Sequence, residues 1–395
     1  MRLSKLMLGM AVAAVSFAAC NKEDITPSVE QGNKSVTLSL ANVLQTKSAS
    51  NKVAADEIKL NSFQVFFSDG TTLYSPKTVD GKGTATTRFT QQEEDGLYEF
   101  HFLPKAVNQV IVVGNMAQLD VTTNAALLAA VKDLTVGGEQ NPANVRLMGI
   151  DTSLEPEEKD PTHHAAKDNS TANPHPDPYV HADVNLSPAV ARFEITGFEY
   201  ALKTGAEKRN YTTMTVDNLS IRNYYTKAEV NFANVPTTDE ADLLNFGGAL
   251  TKDNVYVDYF NKLEDKPVWW LDKVGTTLDA DAYAAVVNVP GATETEPAKD
   301  CYAYNVFPGA LPQFLMQLTG AEGGVESPLY LMTSALKVKN SDNELVALTA
   351  EDITAGNVYR MAMKFDDSNL QNPEKCIEVS ITVDEWVVVA VTPEF

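Results

Sequence analysis

The residues able to do chemistry in this chain are few, and their spacing does not bring them together. His163, His164, His175 and His181 lie in one stretch and have the right atoms for a metal. Their spacing matches no closed zinc pattern, however, and the stretch from Asp151 to His181 also holds five prolines, a composition that does not preorganise ligands. A solvated loop is the expectation there, and no metal site. His101 lies in the alternating run Tyr98-Glu-Phe-His-Phe102, where it reads as a packed or surface side chain. Carboxylates are abundant, and a spaced pair could hydrolyse a glycoside. Yet the clusters Glu93-Glu94-Asp95 and Glu155 to Asp160 sit among turn residues, where solvated charge is the default. A Gly-rich phosphate loop after a strand, a nucleophile elbow, a His-Glu-x-x-His helix and a Cys-x-x-Cys pair are all absent from the sequence. The reading is therefore a protein that is not an enzyme, with no catalytic residue and no cofactor. The pairs Trp269-Trp270 and Tyr224-Tyr225 offer stacking faces for a sugar, although for Trp269-Trp270 core packing or an interface is the expectation.

The cysteines and the N-terminus speak to address. Arg2 and Lys5 precede a short apolar core, Leu6 to Ala19, too short for a membrane span of roughly 20 residues and shaped like a secretory leader. Small residues Ala18 and Ala19 directly before Cys20 resemble a lipobox, which implies cleavage between Ala19 and Cys20 and a diacylglycerol on the Cys20 thiol. The chain is then anchored to the outer membrane at the cell surface without spanning it. The formal charge of −22 argues against nucleic acid, which needs basic surface. Cys301 and Cys376 remain, and an oxidising envelope permits a disulfide between them without requiring one.

These residues are carried by strands. Ser35-Val-Thr-Leu-Ser-Leu40 alternates with Val36, Leu38 and Leu40 on one face. A polar stretch, Gln45 to Lys52, separates it from a second strand, Ile58 to Phe67, which ends at the Asp69-Gly70 turn signal. Tyr98 to Phe102, Gln109 to Val113 and Val145 to Gly149 read as strands, with a helix over Ala125 to Leu134 capped by Asn124. After the proline-rich loop, Val184 to Ile195 opens a second β region. It continues near Met214 to Tyr224, Val255 to Phe260, Tyr302 to Phe307, Leu329 to Val338 and Val358 to Phe365. The end of the chain is the most β-prone part. Ile377, Val379, Ile381 and Val383 alternate with polar residues, and Trp386-Val-Val-Val-Ala-Val391 is apolar on both faces. A terminal apolar strand is either an aggregation hazard or a strand offered to another molecule. Short strands between turn clusters make the chain mainly β, read as two tandem β-sandwiches with a short helix in the first. The segments are a leader at 1–19, a tether at 20–34, a first domain at 35–182 with the 151–181 loop, and a second domain at 183–395.

In this order the elements resemble the Bacteroidales fimbrillins, the lipoprotein pilins of the major fimbrial subunit family. The resemblance is carried by the lipobox at Cys20, Val36 to Leu40, Val110-Ile-Val-Val-Gly-Asn115 followed by Leu127 to Lys132, and Leu147-Met148. It continues in Val190-Ala-Arg-Phe-Glu-Ile195, Cys301-Tyr-Ala-Tyr-Asn-Val-Phe-Pro308, Val358 to Met363 and Ile381-Thr-Val-Asp-Glu-Trp386-Val-Val. It implies transthyretin-like sandwiches and a polymer. A surface protease removes the first strand, here Val36 to Leu40, by cutting the 45–54 loop, and the C-terminal strands of a neighbouring copy fill the groove. The donor residues carried over are Ile377, Val379, Ile381, Val383, Trp386, Val387, Val389 and Val391. The oral members are cut at arginine, but no arginine occurs between Cys20 and Arg88, so the implied cut lies between Lys52 and Val53, by a lysine-directed protease. The implied partners are other copies or related fimbrial subunits, outer-membrane lipid through Cys20, the maturation protease, and host or bacterial surface ligands. Two alternatives stay open: an anchor or accessory subunit, and a surface glycan-binding lipoprotein using the Trp and Tyr pairs.

Overall fold

A computed structural model of the chain describes residues 34–41, 58–76, 88–89, 97–134, 139–140, 144–156, 179–236, 270–279, 283–285, 301–321, 328–339, 342, 344–370, 377–385 and 388–390. It is mainly β. The first twelve strands are β1 Lys34–Ala41, β2 Ile58–Leu60, β3 Phe63–Ser68, β4 Leu73–Tyr74, β5 Arg88–Phe89 and β6 Leu97–Leu103, then β7 Gln109–Gly114, β8 Val131–Asp133, β9 Leu147–Asp151, β10 Glu155–Pro156, β11 Tyr179–Asn185 and β12 Ser187–Pro188. The second twelve are β13 Ala191–Tyr200, β14 Thr213–Arg222, β15 Lys227–Glu229, β16 Leu271–Asp279, β17 Tyr283–Ala285 and β18 Tyr302–Val306, then β19 Gln313–Ala321, β20 Leu329–Lys339, β21 Leu345–Ala347, β22 Asn357–Phe365, β23 Ile377–Glu385 and β24 Val388–Ala390. Among the described residues the α-helices are short: α1, Asn124–Leu128, and α2, Asp367–Leu370.

Two sheets face each other in the first part of the chain. One has the order β10-β11-β1-β6, the other β12-β9-β7-β3-β4 with β5 beside β3. Alternation explains the contact between them. Val36 and Leu38 of β1 project into the same core as Phe63, Val65 and Phe67 of β3, all buried. An aromatic cluster fills the space: Phe63 stacks on Phe89 at 4.9 Å, and Phe67 meets Phe100 edge-on at 4.8 Å between ring centres. The sheets approach closely at Gly149 on β9, where a Cβ would stand 2.3 Å from the Asn185 carbonyl oxygen. Only glycine lets the backbones meet there.

The second part of the chain builds one sheet of order β16-β14-β19-β20-β23-β22-β13-β17, with β18 on β13 and β21 on β20. Two small parallel or antiparallel pairs tie it to the first part: β8 with β15, and β2 with β24. A buried polar link accompanies them. The Arg146 backbone N–H donates to Glu139 Oε2 at 2.6 Å, and its Nη1 donates to the Ala228 carbonyl at 3.1 Å. The same guanidinium lies 5.5 Å from the centre of the Phe232 ring. Asn305 Nδ2 on β18 donates to the Glu139 carbonyl at 2.6 Å. Burial raises the Glu139 carboxyl above its ordinary value, against the pull of Lys132 and Arg146.

Four local readings change. The helix is α1, half the expected length, with Thr123 as its cap; the Thr123 hydroxyl accepts from Ala126 N–H at 3.2 Å. Residues Val131 to Asp133 leave the helical pattern because β15 offers them a ladder. The expected strand Ile58 to Phe67 breaks at Asn61-Ser62, because the Asn115 side chain takes both N–H groups, at 2.9 and 3.4 Å. Finally, the expected junction between residues 182 and 183 falls inside β11. β11 and β12 are hydrogen-bonded to β1 and β9, and the second sheet opens at Ala191 instead. The run expected at Val255 to Phe260 lies outside the described residues.

Candidate strand-exchange site

β1 is the element on which the sequence reading turns, and its setting is a slot one strand wide. It runs parallel to β11, with Leu38 opposite Ala182, and antiparallel to β6, with Leu38 opposite Tyr98. Both edges of its backbone are therefore hydrogen-bonded. Val36 and Leu38 are fully enclosed, and Leu40 is 7% exposed. Three aliphatic side chains buried this way contribute roughly 1.5–3 kcal/mol each.

The other face of β1 is polar and held. Ser35 Oγ lies 3.0 Å from His101 Nδ1 on β6, and Thr37 Oγ1 lies 2.8 Å from His181 Nδ1 on β11. Each imidazole has a carboxylate at its far nitrogen. His101 Nε2 is 3.4 Å from Glu99, and His181 Nε2 is 3.0 Å from Asp183. At the strand's start the Lys34 ammonium donates to the Val107 carbonyl, and its burial lowers its pKa. Sequence reading had His101 as an ordinary packed or surface side chain and His181 in a loop. The available signal was the alternation of Val180, Ala182 and Val184, which makes Tyr179 to Asn185 a strand with His181 on its outer face.

The terminal strands sit apart from β1. Ile377, Val379, Ile381 and Val383 belong to β23, which is parallel to β20 and antiparallel to β22, so both its edges are bonded within its own sheet. Val389 belongs to β24, which pairs with β2, Ile58 opposite Val388 and Leu60 opposite Ala390. Trp386, Val387 and Val391 lie outside the described residues, as do Ala19, Cys20, Lys52, Val53 and Cys376. Cys301 is buried.

Two of the four aromatics considered for a sugar, Trp270 and Tyr224, are buried, and Tyr225 is partly buried. Trp270 is 4% exposed, and it meets the fully buried Tyr224 edge-on at 6.0 Å. Trp269 lies outside the described residues. Among the described residues no three His, Cys, Asp or Glu side chains could hold a metal together, and no helix is long and apolar enough to cross a membrane. His163, His164 and His175 lie outside them.

No protein-family model matches this chain, and no curated protein does. Solved structures do match. A candidate cell adhesion protein from Parabacteroides distasonis superposes with a TM-score of 0.52 and 12% identity, over 93% of this chain and 100% of its own. The chain shares that protein's fold. A candidate cell adhesion protein from Bacteroides eggerthii matches with a TM-score of 0.49 and 15% identity, over 91% of this chain and 98% of its own. A fimbrilin from Porphyromonas gingivalis matches with a TM-score of 0.49 and 12% identity, over 91% of this chain and 99% of its own.

Proposed function

We propose that this chain is a structural subunit of a cell-surface fimbria, exported as a lipoprotein through Cys20 and polymerised by strand exchange after proteolysis. The observation that carries the proposal is the position of β1. It is a central strand with both edges bonded and its aliphatic face enclosed, yet its covalent link to the rest of the fold is the 42–57 segment, which holds Lys47 and Lys52. Cutting between Lys52 and Val53 turns an internal strand into a removable one, whose departure leaves a slot lined by β6 and β11. An incoming strand gains backbone hydrogen bonds on both edges, and its alternate side chains fill the vacated positions.

The donor is the end of a second copy. β23 is bonded on both edges within its own sheet, so pulling Ile377 to Val383 away would dismantle that sheet. Of Trp386 to Phe395 the described residues are β24, three residues paired with β2, and this segment is taken as the part that transfers. Val387, Val389 and Val391 share one face of it, in the spacing of Val36, Leu38 and Leu40. The partners are further copies or related subunits, outer-membrane lipid and a lysine-directed protease. The resulting filament serves adhesion to host or bacterial surfaces.

The test is electron microscopy of cells producing the full chain or a chain lacking Trp386 to Phe395. Filaments are expected from the first and none from the second, with both proteins surface-exposed at equal levels. Filaments from the truncated chain would overturn the proposal.

A further inference from the structure

Ser35 and Thr37 lie, buried, on the face of β1 opposite Val36 and Leu38, and each meets a histidine from a different neighbouring strand, His101 on β6 and His181 on β11. The far nitrogen of each ring faces a carboxylate, Glu99 or Asp183. In that arrangement Nε2–H points to the carboxylate and Nδ1 accepts from the hydroxyl, so one tautomer serves both contacts. The Thr37 hydroxyl also lies 3.5 Å from the Val180 carbonyl, and Glu155 pairs with His181 across β10 and β11. His101 is 5% exposed, so its contact with Ser35 is shielded from competing water.

We propose that His101 and His181 are selectivity residues of the strand slot, reading a pair of small hydroxyls two positions apart on the polar face of whatever strand occupies it. This rests on the strand-exchange reading above. The resident strand carries that pair. The proposed donor, Trp386 to Phe395, carries one hydroxyl, Thr392, and no pair two positions apart, so it matches only the aliphatic side of the slot. The two histidines therefore favour the strand already present. Cutting the chain does not by itself empty the slot; the severed strand stays seated, and its departure is a separate, slow step that the donor must drive by burying its valines. Proteolysis and assembly are thereby separated in time, which keeps cut subunits from exposing an empty apolar slot before a neighbour arrives.

The experiment uses the full chain with a site-specific protease sequence in place of Gln45 to Lys52, cut to completion. Retention of the N-terminal fragment is followed over time by size-exclusion chromatography and mass spectrometry. The fragment should remain bound after cutting. Ser35→Ala and Thr37→Val should each release it about tenfold faster, a change equal to about 1.4 kcal/mol. Thr37→Val should add little in a His181→Phe background, and Ser35→Ala little in His101→Phe, a coupling that a general loss of stability would not produce. Immediate release from the unsubstituted chain, or equal rates in all variants, or additive effects in the paired variants would each overturn the proposal. Filament formation by the same samples is scored separately. A retention contrast without filaments leaves the histidine catch standing and removes the polymer reading; filaments without a retention contrast do the reverse.

Discussion

Leu38→Ala separates the precursor from the mature subunit. Leu38 is fully buried at the centre of β1, between Ala182 and Tyr98, with its side chain in the first core. Truncating a buried leucine to alanine costs about 2–5 kcal/mol, from lost transfer energy and the cavity left behind. The sheets that contain it span roughly 150 residues, a size at which each kcal/mol moves the midpoint by about 2–4 °C, so the uncut chain should lose roughly 4–20 °C. The mature subunit should lose nothing. On the proposed exchange its slot would be filled by another chain's strand, and residue 38 would have departed with the fragment. The assay is thermal unfolding by circular dichroism of uncut protein, paired with the denaturant midpoint for dissociation of purified filaments. Equal destabilisation of both forms would show that β1 stays in the assembled subunit, and the exchange argument would fail.

Two further outcomes follow from the same structure. Lys52→Gln should leave the surface protein uncut and unpolymerised, while N-terminal sequencing of filaments made by the unsubstituted chain should begin at Val53; filaments of Lys52→Gln with an intact β1 would refute the assigned cut. Arg146→Met should destabilise the uncut chain by about 3–5 kcal/mol, because it removes the guanidinium paired with the fully buried Glu139 and leaves only Lys132 to offset that charge. Adding Glu139→Gln should recover part of that loss in urea denaturation, and no recovery would argue against Arg146 as the buried partner of Glu139.

Much of the fold was legible in the residues, for particular reasons. The alternation of Val36, Leu38 and Leu40 announces a half-buried strand, and the structure bonds it on both edges. The mainly β character follows from the short alternating runs between turn clusters. The helix was overextended because Leu127 to Lys132 has helical composition, and only the proximity of β15 makes Val131 to Asp133 a strand. The break at Asn61-Ser62 was equally hidden: its cause is the Asn115 side chain, 54 residues away in sequence from Asn61. Trp270 and Tyr224 show the limit for surfaces, since composition does not distinguish an exposed aromatic pair from a buried one.

The candidate site divides along the same line. The sequence by itself determines which strands are short, which faces are aliphatic, and that the end of the chain is apolar on both faces, because these are local patterns with a period of two. Only the tertiary structure decides that β1 is a central strand, that His101 and His181 grip it from opposite neighbours, and that β23 is held within its own sheet while β24 rests on β2. Strand pairing joins residues far apart in sequence, and its partners are chosen by edge hydrogen bonds and the shape of the core, neither of which is written in any one segment.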